Sequence, residues 1–420
     1  MTNRLQQRGW ITEIHVPTAT AVLALAVVLV TGVVETASAQ GQTYRVLYSF
    51  NGTPDGAGPL AGLIRDSAGN LHGTTESGGP IEFQCGTVFT VDLTGKERVL
   101  YYFTGYTDGC SPEYGRLFRD AAGNLYGTAS GGGIYDYGTI FKVNYSGNVK
   151  VLYTFTGTPD GKYPYAGLVR DPAGNFYSTT VAGGDASCSG GYGCGTVFKL
   201  DATGKETVLY AFAGGTDGAY PYAGVVRDVQ GNLYGTTSAG GDASCNPPYG
   251  CGTVFKVDAT GKETVLHTFT GGTDGEIPYA GLVRDSAGNL YGTTSYGGDP
   301  ACTSFGNSGC GTVFKLDATG KETVLYAFTD GTDGALPFAG LVMDVAGNLY
   351  GTAYAGGAHT DGTVFKVGAT GTETVLYSFT GERGGSGPAG GLLRDSAGNL
   401  YGTTDGGGAA ALGLVFKLKP

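Results

Sequence analysis

The sequence predicts an all-β protein, a seven-bladed β-propeller with four antiparallel strands in each blade. Three observations carry this prediction. The string GNLYG, or a close variant, starts at residues 69, 123, 174, 231, 288, 347 and 398, so a unit of 51 to 59 residues occurs seven times. Each copy has the same strand-like strings around it. The last unit lacks its fourth string, while a spare copy of that string stands before the first unit, at residues 43–50.

The fifth unit shows the four strings most clearly. They are GLVRD at 281–285, NLYGTT at 289–294, GTVFKL at 311–316 and TVLYAF at 323–328, which we name strands a, b, c and d. Each is short, rich in β-branched and aromatic residues and bounded by turn residues, as is typical of strands. The strings DSAGN and DATGK between them predict tight turns. Repeated four-stranded units of this length indicate a propeller, because stacking blades around an axis buries both faces of every sheet.

The spare strand explains how the ring closes. The seventh unit has strands a, b and c but ends before a strand d. We expect residues 43–50, TYRVLYSF, to pair with residues 413–418 and to complete that blade. Closure in this way leaves no open blade edge for other chains to pair with. The sequence therefore predicts one propeller domain over residues 40–420.

Residues 1–39 have the pattern of a cleavable secretory signal. A weakly basic start precedes the apolar run ATAVLALAVVLVTGVV at 19–34, and the small residues Ala37, Ser38 and Ala39 follow it. The alternative is an uncleaved membrane anchor, but the run is shorter than the roughly 20 residues of a spanning helix. We expect cleavage after Ala39, secretion, and no membrane span in the mature chain.

The composition excludes several classes of binding partner and cofactor. The formal net charge is −11 and Lys and Arg are not clustered, which argues against nucleic acid and anionic membrane surfaces. The 79 glycines could suggest disorder, but they recur at fixed places between strands. We find neither a calcium-binding EF-hand loop nor a phosphate-binding glycine motif on a helix. We therefore expect no cofactor, no metal and a monomer.

The complete unit, GLVRDSAGNLYGTT followed by GTVFKLDATGKETVLYAFTG, resembles the GloVer-type tandem repeat of secreted bacterial proteins. The resemblance covers residues 43–420, and the a–b hairpin is more loosely similar to NHL-class propellers. It implies export and tandem strand repeats, and it implies no established catalytic activity. Many members carry a C-terminal sorting anchor, whereas this sequence stops at VFKLKP. Free secretion is therefore the expectation.

The eight cysteines predict four disulfides, as an even number in an exported chain indicates. Three pairs lie inside single b–c loops, and the fourth would join the b–c loop of the first blade to the next d–a loop. A zinc site is the alternative, but it would need four ligands from separate blades. The predicted pairs are Cys85–Cys110, Cys188–Cys194, Cys245–Cys251 and Cys302–Cys310.

The face formed by the d–a and b–c loops is the candidate binding surface, because loops on a rigid scaffold often carry function. An aromatic residue precedes strand a in five blades, at Tyr114, Tyr165, Tyr222, Tyr279 and Phe338. The d–a loops carry a repeated aspartate, at Asp55, Asp108, Asp160, Asp217, Asp274 and Asp333. Rings that stack on sugars and carboxylates that accept hydroxyl hydrogen bonds suit a neutral glycan. The alternative is structural: the aspartates cap turns and the rings pack between blades.

Strand a ends in arginine in six blades, with Met343 in the sixth, and an aspartate follows in all seven. Either the arginines form an anion-binding ring at the far end of the channel, or they make ion pairs between blades. Buried arginine is nearly always paired, which favours ion pairs. The arginines are Arg65, Arg119, Arg170, Arg227, Arg284 and Arg394.

Enzymatic signals are weak. His72 and His267 replace repeated tyrosines and are expected in the core, so only His359, near Asp361, lies on the loop face. Glycosidase chemistry needs two unequal acids in a cleft, and six equivalent aspartates do not provide them. The sequence favours a secreted, non-catalytic binding or scaffold module for an extracellular polysaccharide or a cell-envelope protein. The alternatives are a secreted hydrolase or lyase on the loop face, and a purely structural surface protein.

Overall fold

Seven four-stranded antiparallel sheets make up the structure, a computed structural model that describes residues 42–304 and 309–420. The signal peptide predicted for residues 1–39 lies outside the described residues. Residues Thr43–Pro420 form one compact unit. In the part of the chain that the structure describes, the only helical segments are the short 3₁₀ turns Cys188–Gly191 and Glu382–Gly384. None of the described residues forms a helix long and apolar enough to cross a bilayer.

In each blade the strands are hydrogen-bonded in the order a, b, c, d. The first four blades, each from a to d, are Ile64–Arg65, Leu71–Thr75, Thr87–Val91 and Glu97–Tyr102; Phe118–Arg119, Leu125–Ala129, Thr139–Val143 and Val149–Thr154; Val169–Arg170, Phe176–Thr180, Thr196–Leu200 and Glu206–Ala211; and Val226–Arg227, Leu233–Thr237, Thr253–Val257 and Glu263–Thr268.

Blades five to seven repeat the pattern, and a small extra ribbon joins two loops of the third blade. The remaining strands are Val283–Arg284, Leu290–Thr294, Thr312–Leu316 and Glu322–Ala327; Val342–Met343, Leu349–Ala353, Thr363–Val367 and Glu373–Ser378; Leu393–Arg394, Leu400–Thr404, Leu414–Lys419 and Thr43–Ser49; and the ribbon strands Gly161–Lys162 and Ala182–Gly183.

The N-terminal strand closes the ring, as predicted. Tyr44 pairs with Leu418 and Ser49 pairs with Leu414, so strand d of blade seven comes from the other end of the chain. The next residue, Phe50, is completely buried and donates its backbone N–H to the Gly413 carbonyl. The fold class, with its seven blades and its closing strand, is confirmed.

Phenylalanine pairs join neighbouring blades. A buried Phe just after strand d packs edge-on against the Phe of strand c in the next blade, with ring centroids 4.9 to 5.3 Å apart at all seven interfaces. The first such pair, Phe50 with Phe89, spans the ring closure. Strand b keeps a glycine beneath this ring in six blades. At Gly235, for example, a Cβ would lie 2.6 Å from Phe255 Cζ, so a larger residue would displace the ring.

Strand a is shorter than the predicted five residues. Only two residues of each strand a pair with strand b. The residues before them form hydrogen bonds with the neighbouring blade instead. There a strand-b threonine hydroxyl donates to a backbone carbonyl at the start of strand a in the following blade. This bond forms at five of the seven interfaces, as from Thr179 to Ala223 (2.8 Å) and from Thr236 to Ala280 (2.9 Å). The backbone of strand a therefore holds neighbouring blades together in addition to pairing within its own sheet.

All four predicted disulfides form, and the described residues contain no free cysteine. Three of them close short b–c loops of a single blade. The fourth, Cys85–Cys110, joins the b–c loop of blade one to the following d–a loop and spans 25 residues. Disulfides take up the thiolates that a zinc site would need, so the zinc alternative is discarded.

Candidate functional site

A cavity of about 1140 Å³ runs along the axis of the propeller, and all seven blades line it. Strand a and the residues that lead into it supply most of the wall. Alternate residues point to the cavity: Tyr222, Gly224 and Val226 are partly exposed there, whereas Ala223 and Val225 between them are buried. This alternation is the period of an extended chain.

The alternation builds three layers of side chains. The mouth layer, next to the d–a loops, is Leu60, Tyr114, Tyr165, Tyr222, Tyr279, Phe338 and Ala389. The waist layer is Gly62, Arg116, Gly167, Gly224, Gly281, Gly340 and Gly391. The foot layer is Ile64, Phe118, Val169, Val226, Val283, Val342 and Leu393. All of these residues except Tyr165 and Val283 line the cavity.

The five predicted aromatic residues form a continuous arc around the mouth. Consecutive ring centroids from Tyr114 to Phe338 lie 5.1 to 6.0 Å apart. Tyr354, which the sequence reasoning did not select, extends the arc with its ring 5.3 Å from Phe338. It belongs to the position directly after strand b rather than to the mouth layer. Six aromatic rings therefore cover the part of the mouth that blades two to six contribute.

Two carboxylates occupy the gap that this arc leaves. Blades seven and one have no aromatic residue in the mouth layer, and directly after strand b they carry Asp405 and Glu76. Both carboxylates approach one point: a Cβ on Gly58 would lie 3.2 Å from Glu76 Oε2 and 3.7 Å from Asp405 Oδ1. The Tyr354 hydroxyl donates to Asp405 Oδ2 at 3.4 Å, which links the arc to the acids. Glu76 and Asp405 both line the cavity.

A third acid, Glu113, lies beside the same gap and accepts a hydrogen bond from the Ser130 hydroxyl at 2.9 Å. Burial, and then the negative charge of Glu76, raise the pKa of Glu113 to about 7. Burial, and then Asp405, raise the pKa of Glu76. The pKa of Asp405 is also raised by burial.

The pKa of Tyr114 indicates that the three acids and Tyr354 lie near its ring. Its pKa is raised to about 12, first by burial and then by Glu113, Glu76, Asp405 and Tyr354. One end of the aromatic arc thus faces the acids directly, and Tyr354 at the other end is bonded to one of them. The mouth is consequently lopsided: aromatic rings lie on blades two to six, and carboxylates lie on blades seven and one and at the adjoining edge of blade two.

The repeated d–a loop aspartates take part in their own loops. The hydroxyl of a strand-d tyrosine donates to the aspartate seven residues later, as from Tyr153 to Asp160 (2.9 Å) and from Tyr326 to Asp333 (2.9 Å). Backbone N–H groups donate to the same carboxylates, including those of Asp217 and Asp274. None of these aspartates lines the cavity. Their hydrogen bonds give them a structural role. The candidate site is therefore formed by residues of the mouth and not by these aspartates.

The strand-a arginines mostly stack on aromatic rings. One inter-blade ion pair forms among the described residues, between Arg65 and Asp395 at 3.6 Å. More often the guanidinium lies over an aromatic ring of the preceding blade, as Arg227 does over Tyr177 (5.7 Å). The predicted ion pairs are thus largely replaced by cation–π contacts, which suit a partly exposed guanidinium. The aspartates after strand a bind the turn asparagine and the strand-b tyrosine instead, as Asp228 does.

None of the three histidines among the described residues lines the axial cavity. His72 and His267 replace tyrosines and lie 3.4 and 3.5 Å from the aspartates that those tyrosines would bind. His359 is exposed on its b–c loop and does not line the cavity. Among the described residues, no group of three or more His, Cys, Asp or Glu side chains is arranged to hold a metal.

The sequence reasoning missed Glu76, Glu113, Arg116, Tyr354 and Asp405. Each departs from the repeat where other blades agree or carry a small residue. After strand b, the remaining four blades have Ser or Val. Comparing the blades position by position, and selecting the exceptions rather than the repeated residues, would have found them.

Comparisons with known proteins agree with this architecture. The model of a family described as the Gloeobacter/Verrucomicrobia repeat matches residues 30–190, 81–305 and 300–420. No curated protein matches the sequence closely enough to count as a relative.

Solved structures share the fold at low sequence identity. One is the extracellular domain of a protein provisionally described as a one component system from B. thetaiotaomicron, with 13% identity and a TM-score of 0.54 over 90% of this chain and 42% of that one. A mutant of puromycin hydrolase gives 13% identity and a TM-score of 0.53 over 85% and 52%. The chain thus spans only about half or less of these two proteins. At such identities the likeness shows the propeller fold alone.

Proposed function

The chain belongs to the Gloeobacter/Verrucomicrobia repeat family, and we propose that this member binds a saccharide at the mouth of its axial cavity. The observation that carries the proposal is the lopsided mouth. Aromatic rings and carboxylates have separate places there, so a bound ring meets stacking surfaces on one side and hydrogen-bond acceptors on the other. The proposal places the protein outside the cell, consistent with its four disulfides.

The chemistry of each half supports a sugar. Pyranose rings present C–H faces that pack on aromatic rings, and their hydroxyls donate to carboxylates. Tyrosine hydroxyls are protonated at neutral pH, and burial raises the pKa values of Tyr222 and Tyr279 in the arc further. They can therefore donate as well as accept. A purely structural ring would need neither the acids nor the break in the aromatic arc.

The test is a retention and calorimetry series on the mature protein with soluble and insoluble polysaccharides. We expect selective binding of one class of glycan. Tyr222→Ala and Tyr279→Ala together should weaken it by about two- to tenfold for each ring, since an aromatic contact contributes about 0.5–1.5 kcal/mol.

The matched control removes two tyrosines from the same loop face. Tyr135 and Tyr249 are 54% and 64% exposed and lie outside the cavity, so Tyr135→Ala with Tyr249→Ala should leave binding unchanged. Equal binding by both double variants, with wild-type folding, would overturn the proposal. So would the absence of binding to any glycan.

Hydrolysis is a second candidate, which the Glu76 and Asp405 pair favours. Two unequal carboxylates in one cavity are what glycosidases use, and the raised pKa of each suits proton transfer. One carboxyl would protonate the leaving oxygen while the other activates water. If the protein cleaves a bound glycan, Glu76→Gln and Asp405→Asn should each abolish turnover yet keep binding. His359→Ala should have no effect; loss of turnover in that variant would move the chemistry to the loop.

A further inference from the structure

Arg116 is an exception within the waist layer. The other six blades place glycine at this position, and the layer is otherwise made of backbone. The glycines fit closely: a Cβ on Gly167 would lie 2.7 Å from the Arg116 carbonyl oxygen, and one on Gly224 would lie 2.8 Å from that of Gly167. Blade two alone carries a long side chain here, and Arg116 lines the axial cavity.

The guanidinium of Arg116 has no partner within the protein. Among the described residues it takes part in no hydrogen bond, ion pair or cation–π contact, unlike Arg65, Arg170, Arg227, Arg284 and Arg394. Its side chain is exposed to the space of the cavity, and the protein around it lowers its pKa by partial desolvation. Arginine nevertheless stays protonated in proteins. An unpaired cation that faces a cavity can form two parallel, charge-assisted hydrogen bonds with an anion of matching geometry.

We propose that the bound saccharide is acidic and that Arg116 binds its carboxylate. This inference rests on the proposed function and names the ligand class for the same site. The ring would lie against the aromatic arc at the mouth, with its carboxylate reaching the waist. Its hydroxyls would then face Glu76 and Asp405.

The spacing of the layers suits such a ligand. Mouth and waist are two residues apart along strand a, or about 7 Å at the rise of an extended strand. A uronic acid carries its carboxylate as a substituent of the ring, so one sugar unit can contact both layers. A guanidinium also matches a carboxylate with two parallel hydrogen bonds.

The charge balance of the cavity favours a singly charged group. Arg116 is the cation of the cavity wall that lies nearest the mouth, where Glu76, Glu113 and Asp405 stand. Arg65 and Arg119 also line the cavity, but they lie farther from the mouth, at the end of strand a. A doubly charged phosphate would bring excess negative charge towards these acids. A carboxylate brings one charge, which Arg116 alone neutralises.

The experiment compares free and methyl-esterified forms of the same oligosaccharides. Oligomers of galacturonate, mannuronate and glucuronate, each with its methyl ester, are titrated into the mature wild-type protein at pH 7. We expect at least tenfold tighter binding of one free acid than of its ester. Arg116→Gly, which restores the residue of the other six blades, should abolish that preference, with the loss of affinity falling mainly on the free acid. Arg116→Lys should keep part of the preference.

A matched control removes a cation elsewhere: Lys150 is exposed on strand d and lies outside the cavity, so Lys150→Ala should bind as the wild type does. Equal affinity for acid and ester in the wild type would overturn the assignment of Arg116 and leave the saccharide proposal standing. An acid preference that survives Arg116→Gly would also overturn the assignment. Binding of neither form of any oligomer, together with no binding of neutral glycans, would overturn both.

Discussion

Five glutamates at the starts of strands d should make the protein less stable as the pH rises. Each lies near a d–a loop aspartate, and one carboxylate oxygen of each is buried without a hydrogen-bond partner. The clearest example is Glu206, whose pKa is raised from 4.5 to about 7 by burial and then by Asp160. The others, all with raised pKa values, are Glu97, Glu263, Glu322 and Glu373.

The direction of the pH effect on stability follows from the number of protons that the folded and unfolded states bind. The folded protein holds the protons of Glu97, Glu206, Glu263 and Glu373 up to about pH 7, whereas the unfolded chain releases them near pH 4.5. The pKa of Glu322 is raised in the same direction. Between those values the folded state binds more protons, so the free energy of unfolding falls as the pH rises. Above pH 7 the cost of the buried charges is fully present.

The magnitude can be worked from Glu206. Its shift would correspond to about 3 kcal/mol at about 1.4 kcal/mol per pKa unit. The side chain is only half-buried, and solvent screening reduces the cost to about 1 kcal/mol. The four glutamates with a pKa of about 7 together contribute about 4 kcal/mol. A domain of this size has an unfolding entropy of about 0.8 kcal/mol per kelvin, so the expected change in Tm is about 5 °C.

The chain itself indicates that the glutamates are replaceable. Blade two has Val149 at this position, and blade seven has Tyr44, whose hydroxyl donates to the Gly384 carbonyl at 2.8 Å. Replacing all five glutamates with glutamine should remove the ionisable groups while keeping their shape.

The assay is thermal unfolding, followed by calorimetry or circular dichroism from pH 5 to pH 8. We expect the five-glutamine variant to match the wild type at pH 5 and to melt about 5 °C higher at pH 8. The control variant is Glu82→Gln, which removes an exposed carboxylate and should melt as the wild type does at every pH. An unchanged Tm at pH 8, or a gain of equal size at pH 5, would refute the reasoning.

Three further outcomes are expected. Replacing Cys85 and Cys110 with serine should cost about 3.5 kcal/mol of unfolding free energy in denaturant titrations, against about 2.5 kcal/mol for a pair in a single loop, because the closed loop is longer. Deleting residues 43–50 should expose the edge of the last strand and give dimers or larger species by light scattering, which a peptide of that sequence should reverse. Affinity for an acidic glycan should fall several-fold from pH 6 to pH 8 as Glu113, whose pKa is raised to about 7, ionises, and titrations of Glu113→Gln should show a flatter profile.

The fold could be predicted because the same pattern of strands recurs in every blade. Seven copies of each strand, with the spare strand at 43–50 as the seventh strand d, leave few other ways to bury the apolar residues. The short strand a could not be predicted, because its backbone binds threonines such as Thr179 in another blade. Such bonds depend on the three-dimensional neighbourhood rather than on the local string.

The site was predictable only in part, for a related reason. Repetition identified the aromatic arc, but it also pointed to the d–a loop aspartates, whose carboxylates are hydrogen-bonded within their own loops. The acids and Arg116 occur once each, so a search for repeated residues passes over them. In a ring of similar blades, the residues that differ from the repeat are the ones that make the cavity asymmetric.

The closing strand has a consequence for how the protein is made. Residues 43–49 leave the ribosome before the first six blades, yet their partners, residues 414–419, are synthesised after those blades. The seventh blade therefore cannot assemble until all the other blades have been translated. Until then the first strand has no partner, and Phe50, which is buried in the finished ring, is not yet covered by blade seven. The timing of ring assembly is thus set by the synthesis of residues 414–419 rather than by the folding of individual blades.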